Sequence, residues 1–153
     1  MTEQIKQADL QLKHMAHQHP TAKALMQLRG IGPITALALY ACVGNAQHFN
    51  QARRLAAWLG LVPKHTGTGG IVKLQGISKR GNSYLRTLLI HGARTVMNWA
   101  QKKQDALSLW VQSLVQRRGK HKAMVALANK TARMVWVVLH LGVEALPRHY
   151  RSA

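Results

Sequence analysis

Residues 123–141 constrain the fold more than any other stretch. Met124, Val125, Leu127, Ala128, Ala132, Val135, Val137, Val138 and Leu139 leave this segment apolar nearly all round. A helix without a polar face must be covered on every side, so it is expected at the buried centre of a helical bundle. Lys130 and Arg133 are expected to escape its core face. The rest of the chain then has to supply the covering elements.

Several segments have the helical spacing for that task. Residues 83–103 repeat Leu85, Leu88, Leu89, Ala93, Val96 and Ala100 on a wide face, with Asn82 placed as N-cap. Gly92 interrupts that face. A glycine inside a helix costs about 1 kcal/mol relative to alanine, so a close backbone approach is expected there. Arg86 and Arg94 should share one side of the same helix. Asp105 is placed to begin a helix through Val115, with Leu107, Trp110, Val111 and Leu114 inward, and residues 117–122 follow as a basic connector. Asn50 is placed to cap a short helix over 51–59, with Leu55, Ala56 and Leu59 inward and Trp58 in the core. Residues 3–18 differ: Ile5, Ala8, Leu12, Met15 and Ala16 form only a narrow stripe. That suits a helix packed on one side, or the end of a coiled coil. His14 and His17 share a face there, but no third ligand of the usual kind supports a zinc site. Pro20 marks a boundary, with Thr21 as the next N-cap.

Residues 22–44 carry Leu25, Leu28 and then Gly30-Ile31-Gly32-Pro33, the pattern of a helix-hairpin-helix. Glycines permit the tight turn, Ile31 plugs the space between the helices, and Pro33 suits a first helical turn. The amides at the start of the second helix then face an anion with a favourable dipole, and Arg29 adds charge beside Gly30 and Gly32. The same turn would also serve merely to pack two helices; the charge of the chain favours DNA backbone contact, which reads no sequence. Cys42, in an apolar helix, is expected in the core. The longest gap in the helical pattern is residues 60–82, GLVPKHTGTGGIVKLQGISKRGN. Loops of this length are functional or disordered; Leu61, Val62, Ile71, Val72, Leu74 and Ile77 would tether this one. VPKHT and GIVKLQ are suited to a short β-ribbon. Bare glycine amides with Lys64, His65, Gly69, Gly70, Lys73, Lys79 and Arg80 suggest a phosphate-bearing partner. The class expected is all-α: a helix-hairpin-helix-containing bundle with a glycine-rich basic loop and an N-terminal helix. Its boundaries fall at 1–20 for the coiled-coil or linker helix, 21–146 for the domain and 147–153 for a basic tail, with residues 142–153 expected to be loose.

Charge agrees. The chain has 22 Lys+Arg against 4 Asp+Glu, a formal net charge of +18, with 47% hydrophobic residues. That describes a folded basic domain, for which nucleic acid is the commonest partner. The acids Glu3, Asp9, Asp105 and Glu144 are scattered. A two-metal phosphoryl-transfer site needs converging carboxylates, so this chain is expected to hold no metal or other cofactor of its own. One cysteine excludes an internal disulfide. No apolar run approaches the roughly 18 residues of a spanning helix, so a soluble, cytoplasmic protein with no membrane partner is expected.

With LRGIGPITA, FNQARRLAAWLGLVPKHTGTGG and GISKRGNSYLRTLLIHGAR in this order, residues 22–141 resemble the C-terminal domain of bacterial insertion-sequence transposases of the 110/116/902 group, which includes Piv-type invertases. The resemblance implies DNA transposition and recombination. It also implies, in full-length form, an N-terminal RuvC-like domain binding Mg²⁺, a connecting coiled coil, assembly as a dimer or tetramer, and in some members a structured guide RNA. A serine five residues after the proline of GLVP acts as nucleophile in that family; Thr68 stands at this position here. The resemblance thus assigns Thr68 the catalytic role. Lys64, Gly69, Gly70, Lys79 and Arg80 would hold the scissile phosphate, His65 would serve as a phosphate ligand, and Lys73 and Arg86 would add DNA contacts. Ser78 and Ser83 are neighbouring hydroxyls that also fit a turn and a helix start. The RuvC-like carboxylates are not in this sequence, so the chain alone is expected to bind DNA without cleaving it. A non-enzymatic helix-hairpin-helix module, or a transposase remnant, is the alternative.

Overall fold

The structure, a computed structural model, describes residues 2–66, 69–70 and 73–152. Among these the chain is mostly helical. In order come α1 (Glu3–Gln18), α2 (Pro20–Leu25), α3 (Pro33–Val43), α4 (Ala52–Trp58), β1 (Pro63–Thr66), β2 (Lys73–Ile77), α5 (Ser83–Ala100), α6 (Ala106–Arg118) and α7 (Lys120–Leu141). Two 3₁₀ turns, Val143–Ala145 and Arg148–Tyr150, follow. No helix among the described residues is long and apolar enough to cross a membrane.

As its sequence requires, α7 is the central strut. It packs against α2, α4, α5 and α6, burying Met124, Leu127, Ala128, Ala132, Val135 and Val138. Its polar side chains hold loops in place. Asn129 Nδ2 donates to the Leu61 carbonyl at 2.8 Å, and Trp136 Nε1 to that of Phe49 at 2.7 Å. The His140 ring nitrogen lies 2.6 Å from the Ala46 carbonyl. Lys130 is half-buried, with its ammonium 4.7 Å from the centre of the Trp110 ring. The helix starts earlier than its apolar run, at Lys120, because Gly119 at φ 86° is the whole break after α6. The expected basic connector is therefore the end of one helix and the first turn of the next.

The second layer is α5, which buries Leu85, Leu89, Ala93, Val96, Met97 and Ala100. Asn82 caps it as expected, accepting from the Leu85 amide at 3.0 Å. Gly92 is the site of close approach, but the neighbour is the α2–α3 turn rather than another helix. A methyl group on Gly92 would overlap the Gly30 carbonyl oxygen, and one on Gly30 would stand 3.0 Å from Val96 Cγ2. Ile31 is buried between the two helices of the hairpin, as read from the sequence.

Other expectations are corrected. Pro20 opens α2 with His19 at the cap position, so Thr21 lies inside the helix. Gln51, not Asn50, precedes α4. Cys42 is exposed, because the buried face of α3 runs through Thr35, Ala36, Leu39 and Val43. Trp58 is 37% exposed, its ring 5.6 Å from that of buried Phe49. The C-terminal tail is not loose. Val143 and Leu146 are buried. The Arg29 amide donates to the Tyr150 carbonyl at 2.9 Å and the Ser152 amide to that of Gln27, so the tail forms a strap across the hairpin. α1 meets α2 and α3 near its C-terminal end, where Ala16 is its buried residue. Ile5, Leu10 and Met15 stay at least half exposed.

Candidate nucleic-acid interface

Where the long glycine-rich gap stood in the sequence, β1 and β2 form an antiparallel ribbon with Pro63 opposite Ile77, His65 opposite Leu74 and Thr66 opposite Lys73. Gln75 and Gly76 together stand opposite Lys64, a bulge of the kind that bends and twists a ribbon. The base of the ribbon is tied to the helices. The Ser78 amide donates to the Val62 carbonyl at 2.9 Å, and the Lys79 amide to that of Gly60 at 3.1 Å. Gly60 (φ 74°) and Gly81 (φ 99°) must be glycine here. A methyl on the first would strike the Arg80 carbonyl oxygen, and one on the second that of Trp58. The loop is thus a tethered arm.

Lys64, Lys79 and Arg80 are exposed around that base. Lys79 adopts φ 56°, in the left-handed region that residues other than glycine seldom occupy. Ser78 Oγ accepts from the Arg80 amide at 3.4 Å, which gives this serine the turn role foreseen for it. At the far end Gly69 (φ 65°) and Gly70 (φ 81°) are exposed, with open space where a side chain would be. Backbone amides bared in this way can approach an anion closely. Thr68 lies outside the described residues. For His65 and Lys73 the ribbon fixes the backbone positions just given.

The remaining expected contacts fall elsewhere. Arg86, half-buried at the start of α5, donates to the Leu59 carbonyl at 3.2 Å and so closes the end of α4. Arg94, eight residues along the same helix, is exposed. Gly30 and Gly32 sit about 15 Å further along α5 than the ribbon base, by the 1.5 Å rise per residue from Asn82 to Gly92. Gly32 is exposed, and the first hydrogen bond of α3 runs from Ala36 to its carbonyl, so the Ile34 and Thr35 amides have no partner within the helix.

Arg29, expected beside those amides, is turned inward. Its guanidinium donates to Asp105 Oδ2 at 2.6 Å, to the His149 carbonyl at 3.0 Å and to Ser108 Oγ at 3.1 Å. Its side chain is only 11% exposed, which makes it a clamp joining the hairpin, α6 and the strap. Asp105 also caps α6 through the Ser108 amide. Burial alone would raise the Asp105 carboxyl. The Ser108 hydroxyl and Arg29, followed by the Ser108 amide and the Arg29 charge, outweigh burial and bring it down to about 2. This network was missed in the sequence. The one available signal was the scarcity of acids, which makes Asp105 stand out beside an apolar helix start.

A Mg²⁺ ion of the kind the resemblance implies does not fit these residues. Asp105 is committed to Arg29 and Ser108, and no group of three or more His, Cys, Asp or Glu converges among the described residues. On α1, His14 contacts Gln18 and His17 contacts the Lys13 carbonyl.

The fold and surface define a class: a helical, strongly basic domain with a tethered ribbon and very few acids. Residues 22–108 match the family of IS116/IS110/IS902 transposases, and the chain belongs to it. It is 50% identical over 134 residues to a "Probable family 20 transposase" of Pseudomonas aeruginosa, covering 86% of this chain and 40% of that protein. It is 44% identical over 137 residues to the transposase for insertion sequence element IS1111A of Coxiella burnetii, covering 90% and 38%. With the transposase for IS1328 of Yersinia enterocolitica the identity is 38% over 142 residues, covering 93% and 42%. The chain thus spans about two fifths of the length of these relatives.

Proposed function

We propose that these residues are the DNA-gripping, strand-transfer part of an insertion-sequence transposase. The observation that carries the reading is the tethered ribbon, which presents Lys64, Lys79 and Arg80 at its base and Gly69 and Gly70 at its far end, in a chain of this family. Lysine and arginine here neutralise backbone phosphates, and the open glycine amides receive a phosphate oxygen. The α3 amides beside Gly32 form a second backbone contact of the helix-hairpin-helix kind, further along α5.

In the chemical step, the Thr68 hydroxyl oxygen attacks a DNA phosphorus. An Oγ–P bond forms and one P–O ester bond to the neighbouring nucleoside breaks. The threonine gives up its proton and the departing nucleoside oxygen takes one up, so the exchange is isoenergetic in bond type and needs no oxidant. A hydroxyl at its ordinary pKa is a weak nucleophile, so its activation has to come from a base or from carboxylates outside these residues. Alone, the chain grips DNA and leaves it uncut. α1, with its exposed apolar stripe, fits the end of a coiled coil leading to such a partner domain. A dimer or tetramer and a structured guide RNA belong to the same reading.

The test is covalent capture. In a transposase that carries these residues together with its acidic domain, Thr68→Ala should abolish protein–DNA adducts resistant to denaturation, and Thr68→Ser should retain them. Equal adduct yield from the alanine variant would overturn the assignment of Thr68. The alternative module, which only grips backbone, gives no adduct with any residue at this position.

A further inference from the structure

At the end of α5 away from the ribbon lies an open cleft of about 600 Å³. Its walls are the hairpin turn at Arg29 and Gly30, the last turns of α5, and the C-terminal strap. Trp99 lines it and is 58% exposed, on a helix whose other large apolar residues, Tyr84 apart, are mostly buried. Leaving more than half of an indole in water forgoes part of its burial, which a stacked ligand would restore. Lys103 and Arg148, both exposed, share the lining with it. Asp105 is the one acid there among the described residues, and Arg29 neutralises it at 2.6 Å. The cleft is therefore cationic with an aromatic wall. Lys102 stands over the indole, 5.8 Å from its ring centre, and adds to that character.

We infer that this cleft binds an unpaired nucleotide, its base stacked on Trp99 and its phosphates held by Lys103 and Arg148. Exposed aromatics beside cations are the working parts of single-strand binding, because every base offers a π-face. A base inside a duplex is already stacked on its neighbours and cannot reach such a wall. The volume lies within the roughly 300–1,000 Å³ of ordinary ligand sites, more than a bare base needs and enough for a nucleotide. The site is separate from the ribbon. From Asn82 to Trp99 the helix rises about 25 Å, so one nucleic acid can occupy both places along α5. The inference rests on the chain being a nucleic-acid binder, but it needs neither Thr68 nor the ribbon.

The experiment uses the whole chain with fluorescently labelled short oligo-dT, oligo-U and a mixed-sequence duplex. Trp99→Ala should weaken binding of a single strand by about 5- to 100-fold and change duplex binding less than about twofold, while Trp99→Phe keeps most of the affinity. Lys103→Gln with Arg148→Gln should make the single-strand salt slope shallower by about 1.4. A loss confined to oligo-dT or to oligo-U supports the site and identifies its source. Unchanged single-strand binding by Trp99→Ala, with its melting temperature retained, overturns the inference, as does an equal loss on duplex and single strands. In the first of those cases duplex binding through the ribbon stands unaffected. If no nucleic acid binds the wild-type chain at all, both readings fall.

Discussion

At Gly92 one methyl group would have two opposed effects. Helix propensity favours alanine over glycine by about 1 kcal/mol in the interior of α5. The added carbon would also overlap the Gly30 carbonyl oxygen, in a turn whose flanking Arg29 and Ile31 amides are bonded to the Tyr150 and Leu28 carbonyls. Overpacking against fixed backbone costs typically about 1–3 kcal/mol or more, so the clash wins. Gly92→Ala should lower the urea midpoint by a net loss of up to about 2 kcal/mol, and a gain in stability would show that the hairpin does not press on α5. The Arg29–Asp105 clamp gives a second prediction. Asp105→Asn keeps the shape but leaves a mostly buried guanidinium without its counter-charge, at a cost of about 2–3 kcal/mol. The folded carboxyl, at about 2, lies below its ordinary 3.8. Its contribution is therefore complete above about pH 4 and disappears as pH falls towards 2. With partial screening that contribution is on the order of 1–2 kcal/mol. The stability of Asp105→Asn, followed by urea unfolding, should vary less between pH 4 and 2 than that of wild type.

At the scale of elements, the ribbon shows how much could be read in advance. VPKHT and GIVKLQ pointed to a paired arm, and the ladder joins Pro63–Thr66 to Lys73–Ile77, so the second strand ends two residues beyond GIVKLQ. What joined the arm to the helices was not readable, because Gly60 and Gly81 meet their partners across the sequence gap they flank. The same limit applies to Arg29. Its charge was visible, but its acceptor lies 76 residues away. Asn82 and Asp105 were legible as caps because capping is local, whereas Asn50 failed because Gln51 takes the extended position before α4. The tail looked loose because its charges outweighed the apolar signal of Val143 and Leu146. Lys79 allows the arm's charge to be separated from its geometry. A lysine at φ 56° is strained, and glycine relieves the strain while removing the charge. Lys79→Gly should leave stability unchanged or raise it by up to about 1 kcal/mol, after the glycine's larger unfolded-state entropy is counted. Duplex affinity should fall roughly two- to fivefold at moderate salt. A variant less stable yet unchanged in binding would assign this lysine to the turn alone.

For the whole molecule the controlling quantity is the imbalance of 22 bases against 4 acids. Asp105 is taken up by Arg29, and the other three acids, Glu3, Asp9 and Glu144, are exposed and far outnumbered by the bases. A fold carrying such a field repels itself, and α7 offsets that by burying a wide apolar surface against four other helices. The field is also divided. Lys64, Lys79 and Arg80 stand near the start of α5, while Lys103 and Arg148 stand beyond its end, about 25 Å apart by helix rise. That exceeds a Debye length of about 8 Å at physiological ionic strength, so the two groups act independently on a bound polyanion. A nucleic acid long enough to reach both should bind with a log–log salt slope of about −4, from about three duplex phosphates and about two single-strand ones. Lys79→Gln with Arg80→Gln should reduce that slope by about 1.8 on a duplex. On a duplex with a single-stranded overhang, the losses from this pair and from Lys103→Gln with Arg148→Gln should add to within about 0.5 kcal/mol, as expected of sites that share no partner. Titrations over a series of salt concentrations decide it. Strong non-additivity would mean that the ligand does not follow α5 but sits on one end of the molecule.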